Sequence, residues 1–464
     1  MMKNYIDLID EYKEQMLKDL KDAISIKSVA GDAEGDAPFG KGVQEAFDHM
    51  LALGQREGFI TKNVDNYGGH IEYKGEGDGI FALIGHLDVV PEGSGWQHDP
   101  YGGEVIGDKM FGRGTIDDKG PTMAAFYAMK ALKDSGFKPQ KDIRLILGLD
   151  EETDWKGMNY YMEHEEKPDS GFAPDADFPV IHCEKGLIIF DVVKSLENTK
   201  TSGVHLVSFE GGNAPNMVAD RAKIVVEGED ISDKIEEYKK NCNYDLVCEK
   251  VGDYLEITAK GISAHGAMPE EGLNAITILF EAIKDIEFNN LDVNAFIKFY
   301  NDTIGFDYHG ERFGCGFEDE PSGKLNFNVG KFKLNESEAR LTINIRYPAT
   351  MKEEDIYNGM NNVTGPMNYS VERLDHLAPL YVPKNHALVK VLMDVYQEFT
   401  GDMESQPLVI GGATYARTVP NCVAFGPVFP GEDAVEHQAD EYISISGMVK
   451  AAKIFAEAIY RLTK

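Results

Sequence analysis

Over residues 4–27, Tyr5, Ile6, Leu8, Ile9, Tyr12, Met16, Leu17 and Leu20 recur at helical spacing between charged positions. That stripe predicts a surface helix with one buried side. A second helix is predicted over 41–56, followed by strands near 59–65 and 69–74. Residues 80–84, Ile-Phe-Ala-Leu-Ile, are uniformly apolar and β-prone. They read as a strand buried on both faces. Pro121 suits the first turn of a helix over 121–134. Residues 143–149 predict another buried strand, and 157–165 a helix. This alternation indicates an α/β fold with a mostly parallel sheet.

From about residue 186 the pattern changes to alternating strands, at 187–193, 203–210, 222–227, 254–260, 324–334 and 338–347. Helices near 231–241, 271–285, 291–300 and 352–361 separate some of them. This reads as an α+β segment with an antiparallel sheet. Helices return at 385–400 and 443–462, around 407–413 and 421–425. The expectation is one α/β domain, 1–185 with 380–464, interrupted by an inserted α+β domain, 186–379.

Chemistry gathers where apolar strands end. His86 and Asp88 stand two apart after the 80–84 run, and residues at i and i+2 of a strand share a face. Open α/β sheets bind ligands at such carboxyl ends. A glycine-rich turn at 112–120 carries Asp117 and Asp118. The strand at 143–149 runs into Asp150-Glu151-Glu152, and Asp175 and Asp177 follow a later helix. Any one of these acids would usually be a helix cap or a solvated loop residue. Four such clusters converging would repel strongly and require a cation. Spacing alone leaves open Asp117 or Asp118, Glu151 or Glu152, and Asp175 or Asp177.

Composition narrows the partners. The chain has 464 residues and a net charge of −33, from 46 basic and 79 acidic side chains. That field repels phosphate backbones, so no nucleic acid is expected. Cys183, Cys242, Cys248, Cys315 and Cys422 are odd in number and form no C-x-x-C pair, which argues against a disulfide framework or a cysteine zinc site. No apolar run approaches the roughly 20 residues of a membrane span, and Met1 to Asp7 carry no leader pattern. The expected setting is cytoplasmic and reducing, with no membrane partner. G-x-S-x-G and P-loop motifs are absent.

With these residues in view, the chain resembles the di-zinc exopeptidase family of aminoacylases, glutamate-releasing carboxypeptidases and carnosinases, most of all its bacterial PepV-type dipeptidases. The resemblance is carried in order by Gly85-His86-Leu87-Asp88-Val89-Val90-Pro91, 112–120, Asp150-Glu151-Glu152 and Pro174-Asp175-Ala176. It continues through Pro215-Asn216-Met217-Val218, 261–269, Arg346-Tyr347-Pro348, 411–417 and Glu436-His437. It implies a di-zinc catalytic domain with an inserted lid. It also implies two divalent ions, zinc or else manganese or cobalt. One would take His86 and Asp175, the other Glu152 and His437, with Asp117 between them. Asp88 would orient His86. Glu151 would be general base and then acid, acting on a water activated by the two metals. His265 would stabilise the oxyanion. Asn216, Arg346 and Gly412 would bind substrate, Arg346 by clamping a terminal carboxylate. The implied activity is hydrolysis of a dipeptide by a monomer, with a small peptide as substrate. A deacylase acting on N-acyl amino acids or succinyl-diamines is the alternative on this fold, and a non-catalytic metal-binding protein the alternative outside enzymes.

Overall fold

Ile80–His86 forms a strand buried along its whole length in a computed structural model that describes residues 4–197 and 203–464. Asp142–Gly148 lies parallel beside it, with Leu83 opposite Leu145 and His86 opposite Gly148. Ser170–Ala173 runs parallel on the other side, and Cys422–Ala424 parallel beyond that. Antiparallel strands flank this centre: Gly68–Tyr73 and Ile60–Val64 at one side, Ile181–Glu184 at the other. The α/β expectation holds, with parallel pairing concentrated where the sheet is most deeply buried. The 80–84 strand extends two residues further than its apolar run, because Gly85 and His86 still pair with Leu147 and Gly148.

Tyr5–Ile24, Lys119–Ser135 and Ile445–Thr463 pack on one another, the last two also against the central strands. The Lys119 side chain is buried and its Nζ donates to the Ala23 and Ile26 carbonyls at 3.1 and 2.7 Å. A lysine from one helix start thus satisfies the last carbonyls of another helix. Met1–Lys3, part of the stretch read as leaderless, lie outside the described residues.

The backbone divides into two units: Met1–Cys183, Val382–Val409 and Ala413–Lys464 in one, Glu184–Tyr381 and Ile410–Gly412 in the other. In the second unit the sheet order is Asp245–Val251, Tyr254–Lys260, Arg221–Glu227, His205–Gly211, Asn326–Leu334, Glu338–Tyr347, Gly186–Ser195 and Ser370–Leu377. Its ladders are antiparallel. Leu341, Ile343, Ile345 and Tyr347 enter a core with Phe280, Phe296 and Phe332. Arg340, Thr342, Asn344 and Arg346 alternate with them and so take the other face. The two edge strands, Asp245–Val251 and Ser370–Leu377, were not expected, and both are mostly exposed. Edge strands need bury little, so the apolar alternation that marks a strand is weak there. The helix expected at 271–285 is shorter, Ala275–Ala282, because Asn274 caps it by accepting from the Ile276 and Thr277 amides.

His70, on strand Gly68–Tyr73, is buried and shares a 2.8 Å hydrogen bond with the Tyr161 hydroxyl. Burial, reinforced by the Arg144 charge, lowers its pKa from 6.5 to about 3. The folded protein therefore refuses a proton that the unfolded chain accepts below pH 6.5. Stability is intact above that value and falls as the pH drops from 6.5 toward 3. In thermal melts the wild type should lose about 2 kcal/mol more than His70→Gln between pH 7.5 and 5.

Candidate metal centre

His86 closes the central strand, and its neighbours dictate its direction. Its Nδ1–H donates to the Asp88 carbonyl at 3.0 Å, with the Asp88 carboxylate 3.4 Å away. Nε2 then faces Asp117 Oδ1 at 2.9 Å and Asp175 Oδ2 at 3.7 Å. Asp88 is fully buried and accepts from the amides of Glu151 and Glu152 at 3.1 and 3.0 Å. One carboxylate therefore ties the end of strand Ile80–His86 to the turn after Asp142–Gly148.

The structure separates each ambiguous pair of acids. Asp117 Oδ2 lies 2.9 Å from His437 Nε2, so its carboxylate stands between two imidazoles. Asp118 turns inward, where Oδ2 accepts from the His86 amide at 3.0 Å and the Thr122 hydroxyl at 2.9 Å. Gly85 permits this approach: a Cβ there would sit 1.9 Å from Thr122 Oγ1 and 2.8 Å from Asp118 Oδ2. Glu152 Oε1 is 3.0 Å from His437 Nε2. Asp177 is exposed and lies outside both groups of possible ligands. His437 holds its position at φ 62°, a left-handed conformation sparsely used outside glycine.

Two sets of donors result, His86 with Asp118 and Asp175, and Asp117 with Glu152 and His437. The ligand atoms of each lie within 4.8 Å of one another. Asp118 is the member that the sequence did not single out; its place beside Asp117 in the glycine-rich turn was the available signal. Burial pushes Asp175 well above the usual carboxylate range, and Asp118 repels it further. Burial likewise raises Glu151, with Glu152, Asp117 and Asp88 adding repulsion against the opposing pull of His86. His437 rises to about 10 through its bonds to Asp117 and Glu152. Asp118 Oδ1 is buried with no hydrogen-bond partner among the described residues. Imidazole nitrogens and carboxylate oxygens crowded in this way fit divalent cations.

Asn216, His265, Arg346 and Gly412 all belong to the second unit. Met217 and His265 form an antiparallel bridge, and the Gly266 amide donates to the Asn216 carbonyl at 2.7 Å. Asn328 Nδ2 donates to the Pro215 and Met217 carbonyls, both at 2.9 Å, and so grips Asn216 from either side. His265 Nδ1 accepts from the Ala267 amide at 3.3 Å. Burial and the Arg346 charge lower its pKa, which keeps the ring neutral with the proton on Nε2. Gly411 lies against Ala267 and the Arg346 stem, where a Cβ would be 2.6 Å from Ala267 Cβ.

Residues 82–461 match the peptidase family M20/M25/M40. The chain belongs to that family. A relative from Bacillus subtilis (strain 168), named "Putative dipeptidase YtjP", is 38% identical over 97% of this chain and 98% of its own length. A like-named relative from Staphylococcus epidermidis is 39% identical over 97% and 98%. Among solved structures, human carnosine dipeptidase 1 covers 99% of this chain and 98% of its own at TM-score 0.57 and 14% identity. Aminoacylhistidine dipeptidase from Vibrio alginolyticus covers 97% and 96% at TM-score 0.58 and 13% identity. At those identities the two structures establish the fold that this M20 peptidase shares. No helix among the described residues is long and apolar enough to cross a membrane.

In Asp88→Asn, one amide hydrogen must face a donor, since both carboxylate oxygens accept backbone amides. Metal affinity should fall by about 10- to 100-fold, as measured by titrating metal-free protein against a chromogenic chelator.

Proposed function

We propose that this protein is a dipeptidase that hydrolyses the amide bond of free dipeptides with two bound divalent ions. The observation that carries the reading is the placement of Glu151 beside the two donor sets, where burial and the charges of Glu152, Asp117 and Asp88 hold its pKa well above the usual carboxylate range. Family membership and the dipeptidase names of the relatives support the same reading. His86 and Asp175 would hold one ion, Glu152 and His437 the other, and Asp117 both. The bound ions, zinc or else manganese or cobalt, would polarise the scissile carbonyl and lower the pKa of water.

The chain's own residues would do the rest. Glu151 takes the proton of the attacking water and returns it to the leaving amine nitrogen. Its raised pKa suits a group that must carry a proton between two steps. His265 Nε2–H donates to the developing oxyanion, and Arg346 pairs with the substrate's terminal carboxylate. Asn216 and the Gly412 amide complete the substrate contacts. In this reading the segment 186–379 is a lid, His265 acts on substrate bound to its own chain, and the enzyme is a cytoplasmic monomer.

Metal-stripped protein, resupplied with zinc, manganese or cobalt, should cleave a dipeptide panel that includes β-Ala-His and leave the N-acetylated controls intact. Cleavage of only the acylated compounds would instead indicate a deacylase. Glu151→Gln should lower kcat by about 10²- to 10⁴-fold with metal content unchanged. Arg346→Met should reduce kcat/KM by about 10- to 100-fold on free dipeptides, mainly through KM. The same variant should match wild type on dipeptide amides, which lack the carboxylate.

A further inference from the structure

We infer that Glu441 is a positioning residue that holds Asp117 and His437 at a common spacing, an inference that rests on the two-metal reading above. Glu441 lies four residues after His437 and is fully buried. Its Oε1 accepts from the amides of Gly114, Ile116 and Asp117 at 2.9, 3.0 and 3.4 Å. Its Oε2 takes Arg113 Nη1 at 2.5 Å. Its carbonyl accepts from the Gly112 amide at 2.9 Å. These contacts all fall on residues 112–117, the loop that ends in Asp117. The chain on which Glu441 sits also carries His437, so one side chain fastens together the two segments that supply these ligands.

Neutralising Arg113 alone would not explain this arrangement. Arg113 occupies one carboxylate oxygen, while the other gathers three amides from a stretch of four residues. That second set of bonds fixes the main chain immediately before Asp117. A carboxylate can accept on every side, whereas glutamine must present an NH₂ either to Arg113 or to the amides, setting donor against donor. Asp440 anchors the neighbouring position separately, by accepting from the Gln97 and His98 amides at 2.8 and 3.1 Å. Among the described residues Asp440 makes no such contact with the Asp117 loop, so beyond the direct His437–Asp117 approach and the pairing of Tyr442–Ser444 with Lys109–Phe111, the side-chain link between the two segments runs through Glu441.

Two variants separate positioning from charge balance. E441D keeps the charge for Arg113, but its shorter arm cannot reach the guanidinium and the amides together. R113M/E441L leaves no unpaired buried charge and gives the three amides no acceptor. Metal-free forms of wild type and both variants would be titrated with zinc against a competing chelator, with apo-protein melting and circular dichroism as controls. Wild type should take up two equivalents. Both variants should bind at least one equivalent about 10- to 100-fold more weakly while the folded apo forms resemble wild type. Wild-type affinity for both equivalents in either folded variant would overturn the inference, whatever happened to its melting temperature. Failure of wild type itself to bind two equivalents would instead overturn the two-metal reading.

Discussion

Asp88, Asp117, Asp118, Glu151, Glu152 and Asp175 lie together with two imidazoles at the end of one sheet, and their mutual repulsion in a buried setting is the constraint that shapes the region. Carboxylates in low dielectric must find donors, cations or protons. Asp88 is met by two backbone amides, one oxygen of Asp118 by an amide and a hydroxyl, and Asp117 by two histidines. Among the described residues Asp175 meets only the His86 ring, at 3.7 Å, and the other oxygen of Asp118 has no hydrogen-bond partner. Positive charge supplied by bound cations would complete the account, and the imidazoles already turn their Nε2 atoms toward the place where it is needed.

The sheet serves this arrangement by bringing chain ends close. Gly85 lets the helix Lys119–Ser135 start against the strand, and Gly148 leaves room for the Tyr415 ring, which a Cβ would approach to 2.1 Å. Tyr415 in turn donates to Asp150 at 2.9 Å, just ahead of Glu151. Trp155 Nε1 donates to the Glu151 carbonyl at 2.7 Å. The acids therefore sit on turns whose backbone is held from several sides. A preorganised site requires this, because ligand positions that drift would lose the cation.

The second unit solves a different problem. Its sheet commits one face to an aromatic and aliphatic core and leaves a polar row on the other, from Arg340 to Arg346. Arg346, a neutral His265 and the Asn216 turn are held near one another by backbone bridges, Asn328 and close glycine contacts. These groups suit recognition of an anion and of a polarised carbonyl. The first unit holds the clustered carboxylates and imidazoles. One unit is thus rich in carboxylates, and the other offers hydrogen-bond donors.

Local spacing determined much of this protein. The apolar runs at 80–84 and 143–149, the helical stripe beginning at Tyr5 and the alternation at 338–347 marked their elements, because burial on one or both faces leaves a periodic trace in adjacent residues. The order of short motifs also identified the family and nominated the acids and histidines. Spacing could not select Asp117 over Asp118 or Glu152 over Glu151, since neighbouring side chains at the end of an element diverge in directions set by distant partners. Nor did it reveal the exposed edge strands, which bury too little to leave a pattern. The pairing of Arg113 with Glu441 joins residues 328 positions apart. Only the tertiary structure decided such contacts, because hydrogen bonds and charge pairs depend on where the folded chain brings groups together, and separation along the sequence carries no record of it.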